Sequence, residues 1–357
     1  MINKVLPQRI YLAAIPLTFA LLTSGCGSIS YYSQAIGGQL SIMGKREPIE
    51  EVVADPATPD KIRTRLKQVQ VMRQFAVSEL GLPENASYTS YVDLKRRYVV
   101  WNVFAAPELS LTPRQWCYPV TGCVSYRGYF KEQDAERFAE SLRKKGDDVM
   151  VAGITAYSTL GWFHDPLLNT MLNRSDTSLA GTLFHELAHQ QLFVKDDTTF
   201  NESFATTVEL EGVRRWLATH GTDDQYRKYM QNHQRKMQFI ELVQQTRKKL
   251  KALYADTIAV DEKRRSKQQI FSELKQDYQK LKRDWGGYTG YDKWFDQELN
   301  NAHLVPVGSY YDYVPALQQL LRKQGGDLPA FYRETRSIAE LTPDMREKTI
   351  RNLMGNN

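Results

Sequence analysis

The sequence predicts an α+β fold in which a small mixed sheet region precedes a mostly helical half. That half carries a long helical hairpin. Three observations point there. Between residues 98 and 154, short runs rich in Val, Tyr, Phe and Ile are separated by turn residues, the pattern of short strands. From Leu167 to Val305 there is no proline, and the absence of the strongest helix breaker over so long a stretch favours helices. Within it, residues 224–285 combine abundant Lys, Arg, Gln and Glu with apolar residues at helical spacing.

Taken in order, residues 1–25 stand apart. Lys4 and Arg9 form a basic start, residues 10–22 are nearly free of polar groups, and Thr23-Ser24-Gly25 supplies small residues before Cys26. The apolar stretch is shorter than the roughly 20 residues of a spanning helix and reads as a secretory signal. Its terminal cysteine makes it resemble a lipoprotein signal, with Cys26 acylated as the mature N-terminus and residues 26–60 as the lipidated N-terminus and tether. Gly27 follows where Asp would suggest inner-membrane retention, so the resemblance implies an exported protein on the outer membrane, facing the periplasm. The remaining residues, 61–357, are read as one domain, into which 224–285 is inserted as a hairpin.

Within that domain, Ile62, Leu66, Val69, Met72, Phe75 and Leu80 recur at helical spacing over 60–81. Strands are expected over 98–104, 124–130 and 148–154, with an amphipathic helix over 131–145 ending near Gly146. Cys117 and Cys123 flank a segment containing Pro119 and Gly122 that can turn back on itself. In an oxidising compartment they are expected to form a disulfide. Met230, Met237, Ile240, Val243 and Leu250 mark one seam of the hairpin, and Ile270, Leu274, Tyr278 and Leu281 a second. This hairpin is also a possible surface for a protein partner. Nucleic acid is not an expected partner. The formal charge is +6, and without Lys4 and Arg9 the chain holds 45 basic against 41 acidic residues.

The chemistry concentrates in Phe184-His185-Glu186-Leu187-Ala188-His189, an H-E-x-x-H run compatible with a helix. Residues four apart share a helix face, so His185 and His189 can bind one metal ion. Imidazoles suit zinc, one per chain, and a catalytic zinc takes three protein ligands while leaving room for water. Glu186, beside the first histidine, is placed to act as general base. Asn201-Glu202-Ser203-Phe204-Ala205 opens a second helix 12 residues past His189, after a loop that lets the chain reverse, so Glu202 is the expected third ligand. Asn201 or the loop aspartates are candidates to orient the histidines. His220 is a weaker ligand candidate. The strand over 149–154 could pair with extended substrate. An oxyanion donor is sought among His303, Tyr310, Tyr311 and Tyr313, with Tyr310 preferred. Glu209, two turns past Glu202, could receive a substrate ammonium. His164 and His233 are read as structural or surface residues.

His-Glu-Leu-Ala-His followed by Asn-Glu-Ser-Phe-Ala, behind a lipoprotein signal and a C-x5-C segment, resembles the bacterial putative aminopeptidase family of lipoproteins. The resemblance extends over most of the chain after Cys26, including residues 117–130 and 300–316. It implies gluzincin-like zinc peptidase chemistry on peptide or protein substrates. His185, His189 and Glu202 would be the ligands and Glu186 the base. An endopeptidase is the nearest rival. A lipid-anchored binding or scaffold protein, with a structural metal or none, is the alternative from another class.

Overall fold

The computed structural model describes residues 30–118, 122–156, 159, 163–307 and 311–355. Two compact units are present, residues 1–45 and Arg46–Asn357. In the first, residues 30–43 form a helix, α1. The second begins with β1 (Glu47–Pro48) and α2 (Ile49–Ala54), followed by α3 (Asp60–Ser78). The segment read from the sequence as a tether therefore contains helix in both units. Leu66, Val69, Met72, Phe75 and Ala76 are the buried stripe of α3, matching the spacing in the sequence.

The fold is α+β, with three small sheets among the described residues. In one, β2 (Ser90–Val92) pairs antiparallel with β1 and parallel with the late strand Leu167–Leu168. In the second, β3 (Val100–Pro107) is central, and the third is the hairpin of β4 (Trp116–Tyr118) and β5 (Gly122–Val124). The strand expected over 124–130 is broken at Ser125-Tyr126. Val124 ends β5, whereas β6 (Arg127–Tyr129) joins the second sheet, because each piece pairs with a different neighbour. Cys117 and Cys123 lie directly opposite in the hairpin and are disulfide-bonded.

The helix α4 (Glu132–Arg143) carries acids in its first turn and Arg143 in its last, the arrangement favoured by the helix dipole. Ala135, Ala139 and Leu142 bury its apolar face against β3 and β7 (Asp147–Ile154). The order of this sheet is β6-β3-β7, so β7 is an edge strand. Part of that edge is covered: Asn300 Nδ2 donates to Val149 O at 3.3 Å, and Asn301 N to Asp148 Oδ2 at 2.8 Å.

The helical half begins after Leu167–Leu168 (β8). Ser175 Oγ accepts from Ser178 N and starts α5 (Asp176–Gln191); Asp197 accepts from Phe200 N and starts α6 (Thr198–His220). Helix α6 is buried nearly all round, with α5, α7 (Asp223–Ala255) and α10 (Val314–Lys323) against it. A Thr222–Gln225 capping box opens α7, whose antiparallel partner is α8 (Val260–Asp284). Ile240, Val243 and Leu250 pack with Phe271, Leu274 and Tyr278 in one core that also takes Phe295 from the short α9 (Asp292–Phe295). The hairpin is tied to the body through Lys267, whose Nζ reaches Glu108 O and Asp148 Oδ2 at 2.8 and 2.6 Å. Helices α11 (Leu328–Ala339) and α12 (Pro343–Gly355) close the chain, and Arg346 of α12 pairs with Asp197 at 2.7 Å.

What positions the site is the approach of α5 to α6. A Cβ on Gly212 would stand 2.8 Å from both Leu80 Cδ1 and Phe184 Cδ2, and one on Gly181 would stand 3.1 Å from Glu209 Oε1. Leu80 and Phe184 are fully buried and have little room to yield. Replacing Gly212 by Ala adds helix propensity of about 1 kcal/mol but overpacks the seam by about 1–3 kcal/mol. Gly212→Ala is therefore expected to lower the urea midpoint, through a net loss of up to roughly 2 kcal/mol of stability. An unchanged or raised midpoint would mean that the seam has slack there.

Candidate metal centre

Between α5 and α6, four titratable side chains share one seam. His185 and His189 project from α5, Glu202 and Glu209 from α6. His185 Nε2 lies 3.2 Å from His189 Nε2 and 3.3 Å from Glu202 Oε2, and His189 Nε2 lies 3.6 Å from Glu202 Oε1. One ligand atom from each of the three residues falls within 4.8 Å of the others. Tetrahedral zinc with ligands at about 2.0–2.1 Å separates its ligand atoms by about 3.3–3.4 Å. The three side chains therefore already stand at the spacing such an ion requires, and two nitrogens with one carboxylate are a donor set that suits it.

His185 is oriented from behind. Its Nδ1 faces Glu209 Oε2 at 3.1 Å, and Tyr229 OH donates to Glu209 Oε1 at 2.9 Å. A proton on Nδ1 given to Glu209 leaves the Nε2 lone pair directed at the seam. Glu209 is therefore engaged by His185 and Tyr229 rather than standing free for a substrate ammonium, the role its sequence position had suggested. His189 differs: its Nδ1 is buried and has no partner among the described residues.

The electrostatics follow from these contacts. Burial opposes the His185 cation, yet hydrogen bonds with Glu202 and Glu209 and their charges hold its pKa well above the ordinary value. Burial and the neighbouring His185 push His189 down to about 4. Burial would raise Glu209, but His185, Lys236 and Tyr229 hold it at about 2. Glu202 is likewise lowered, its burial outweighed by the two histidines and Lys236. Glu186 goes the other way, pushed up to about 7 by burial, with the Glu202 and Asp165 charges adding to the rise and His185 and Arg174 opposing it.

These groups open on a cavity of ≈ 730 Å³. His185, Glu186, His189 and Glu202 line it, and the wall also includes Tyr126, Ile154 and Ala156. The end of edge strand β7 thus lies along the same cavity as the histidines. The disulfide hairpin contributes Cys123 and Val124. The start of β5 approaches the loop between α5 and α6: a Cβ on Gly122 would meet Asp196 Oδ1.

Several expected roles go elsewhere. Asn201 does not reach either histidine. Its amide accepts from Val194 N at 2.8 Å and donates to Val194 O at 2.7 Å, which pins the loop between the two helices. Asp197 is committed to capping α6 and to Arg346. His220 stacks on Trp216 at 3.9 Å, at the far end of α6 from the pair. His303 belongs to the 3-10 turn Asn301–Leu304, where Nδ1 lies 3.2 Å from Asn300 N and burial lowers it to about 4. The Tyr311 ring lies 4.5 Å from Lys236 Nζ, and Tyr313 N donates to Ser203 Oγ at 3.3 Å. None of these three residues lines the cavity. Tyr310 and Cys26 lie outside the described residues. His164 is exposed at the surface, whereas His233 is partly buried, and burial and Lys236 lower its pKa.

Tyr229 and Lys236 carried no motif, because they reach the site from α7, a different helix some 30 residues on. Tyr126 belonged to a run read as plain strand. No curated protein and no solved structure matches the chain. Residues 30–350 match the family described as "Putative aminopeptidase". Since that match spans most of the chain and contains the whole His185–His189–Glu202 seam, the chain belongs to the putative aminopeptidase family.

Proposed function

We propose that this chain is a zinc-dependent peptidase of the gluzincin type, acting as an aminopeptidase. The observation that carries the reading is the convergence of His185, His189 and Glu202, with Glu186 on the wall of the same cavity. His185, His189 and Glu202 would hold one zinc ion, which supplies a Lewis acid for the scissile carbonyl and an activated water. Glu186, one residue from a ligand and facing the cavity, takes the proton from the attacking water and returns it to the departing amine. Glu209 and Tyr229 keep His185 in the tautomer that presents Nε2. Strand β7 ends beside the cavity, where an extended peptide can add to its edge.

The exported, lipid-anchored state is part of the same proposal. It rests on Lys4, Arg9, the apolar run after them and Cys26, all outside the described residues. The Cys117–Cys123 disulfide fits an oxidising compartment. Among the described residues no helix is long and apolar enough to cross a membrane.

Two substitutions test the roles. Glu186→Gln should retain stoichiometric zinc while lowering peptide turnover by roughly 10²–10⁴-fold, the usual contribution of a general base. Turnover within a few-fold of wild type would remove Glu186 from that role. Glu209→Ala should weaken zinc binding by roughly 10–100-fold in competition with a chelating dye, the usual effect of losing a ligand's orienting carboxylate. Equal affinity would show that the His185–Glu209 bond does not orient the ligand.

A further inference from the structure

Among the described residues, the wall of the cavity holds a cation with no acid to pair with. Arg247 of α7 donates Nη1 to Leu304 O at 2.9 Å, and this is its one hydrogen bond among the described residues. Some basic side chains of the hairpin, such as Lys263 and Lys275, hold backbone carbonyls, while Lys267, Arg264 and Arg346 have carboxylate partners in Asp148, Glu108 and Asp197. Arg247 has none among the described residues. The intervening residues 119–121, 157–158, 160–162 and 308–310 include no Asp or Glu that could supply one. Burial lowers the pKa of Arg247, and no neighbouring carboxylate counters it.

Its location gives this a use. Arg247 lines the catalytic cavity and also an adjoining groove of ≈ 610 Å³, where Lys248 and Lys251 stand beside it. The groove's one acid, Asp312, already accepts from Gln244 Nε2 at 3.2 Å. The same cavity wall carries Glu186, Asp196 and Glu202. Its lining therefore holds both signs of charge, acids with the histidines and a guanidinium at Arg247. A short peptide has the complementary pattern, an ammonium at one end and a carboxylate at the other. A half-buried guanidinium without a counter-ion is poorly solvated, and a carboxylate accepting its planar fork restores what burial removed.

Building on the peptidase reading, we propose that Arg247 binds a carboxylate of the peptide substrate and so selects for it. That carboxylate is either the free C-terminus of a short peptide or an acidic side chain, and the two are separable by experiment. Matched peptides would be compared as free acids, as C-terminal amides, and as amides carrying Glu at successive positions. Two readouts are needed: kcat/KM with the wild-type zinc enzyme, and equilibrium binding to the zinc-loaded Glu186→Gln protein.

If the C-terminus is the ligand, amidation lowers both readouts by roughly 10–100-fold, the size of a lost charge-assisted contact. If a side chain is the ligand, amidation has no effect and Glu at one position raises both by a similar factor. In either case Arg247→Met should bring the ratio between charged and uncharged peptides close to one, and Arg247→Lys should keep part of it. Wild-type protein indifferent to every carboxylate would overturn the proposal whether or not the Met variant folds. Carboxylate-dependent binding without wild-type turnover would uphold the Arg247 site and reject the peptidase reading. Neither binding nor turnover of any peptide would overturn both.

Discussion

Helices α5 and α6 come so close that the side chains between them have few ways to be satisfied. Gly181 and Gly212 leave no room for a Cβ on the facing sides. Further along the same seam lie two imidazoles and two carboxylates, all largely buried. Buried charges persist only when they are paired or coordinated. Glu209 settles on His185 Nδ1, and one ligand-type atom from each of His185, His189 and Glu202 converges on the same point of the seam. The close seam thus gathers donor groups that could hold a metal ion, where they would otherwise be an expensive cluster of polar atoms.

The surrounding architecture serves that seam. Asn201 and the Asp197–Arg346 pair fix the turn between the helices, so Glu202 arrives one turn inside α6 rather than on a mobile loop. Helix α7 brings Tyr229 and Lys236 behind the carboxylates, and α8 holds α7 in place through the Leu250–Leu274–Tyr278 core. The sheet contributes an edge rather than a platform: β7 is covered near Val149 by Asn300 and ends beside the cavity at Ile154.

How much of this was legible beforehand depended on range. Local periodicity located α3, α4, β7 and the hairpin to within a few residues, because each signal is complete inside one window of sequence. The histidine pair was equally local. Glu202 was reachable because the chain between His189 and Asn201 is too short to do anything but reverse. The errors lie where a partner comes from afar. Glu209 shows a carboxylate on the right face but not which neighbour claims it. Asn201 was assigned to the histidines, although the backbone of Val194 offers both a donor and an acceptor at hand. His303 was a plausible donor by composition and proves to be consumed in a 3-10 turn. The break at Ser125-Tyr126 was invisible, since both halves have strand-forming residues and only their partners differ. Arg247 looks like any basic residue of a charged helix until its lack of a carboxylate is seen.

The central claim is that the α5–α6 seam holds one metal ion through His185, His189 and Glu202. Elemental mass spectrometry on purified protein lacking residues 1–26, after gentle dialysis and zinc reconstitution, tests it most directly when run beside Glu202→Gln. The account predicts about one zinc per chain in the parent protein and a clear loss in the variant. No metal in the parent, or equal loading in both, would contradict it.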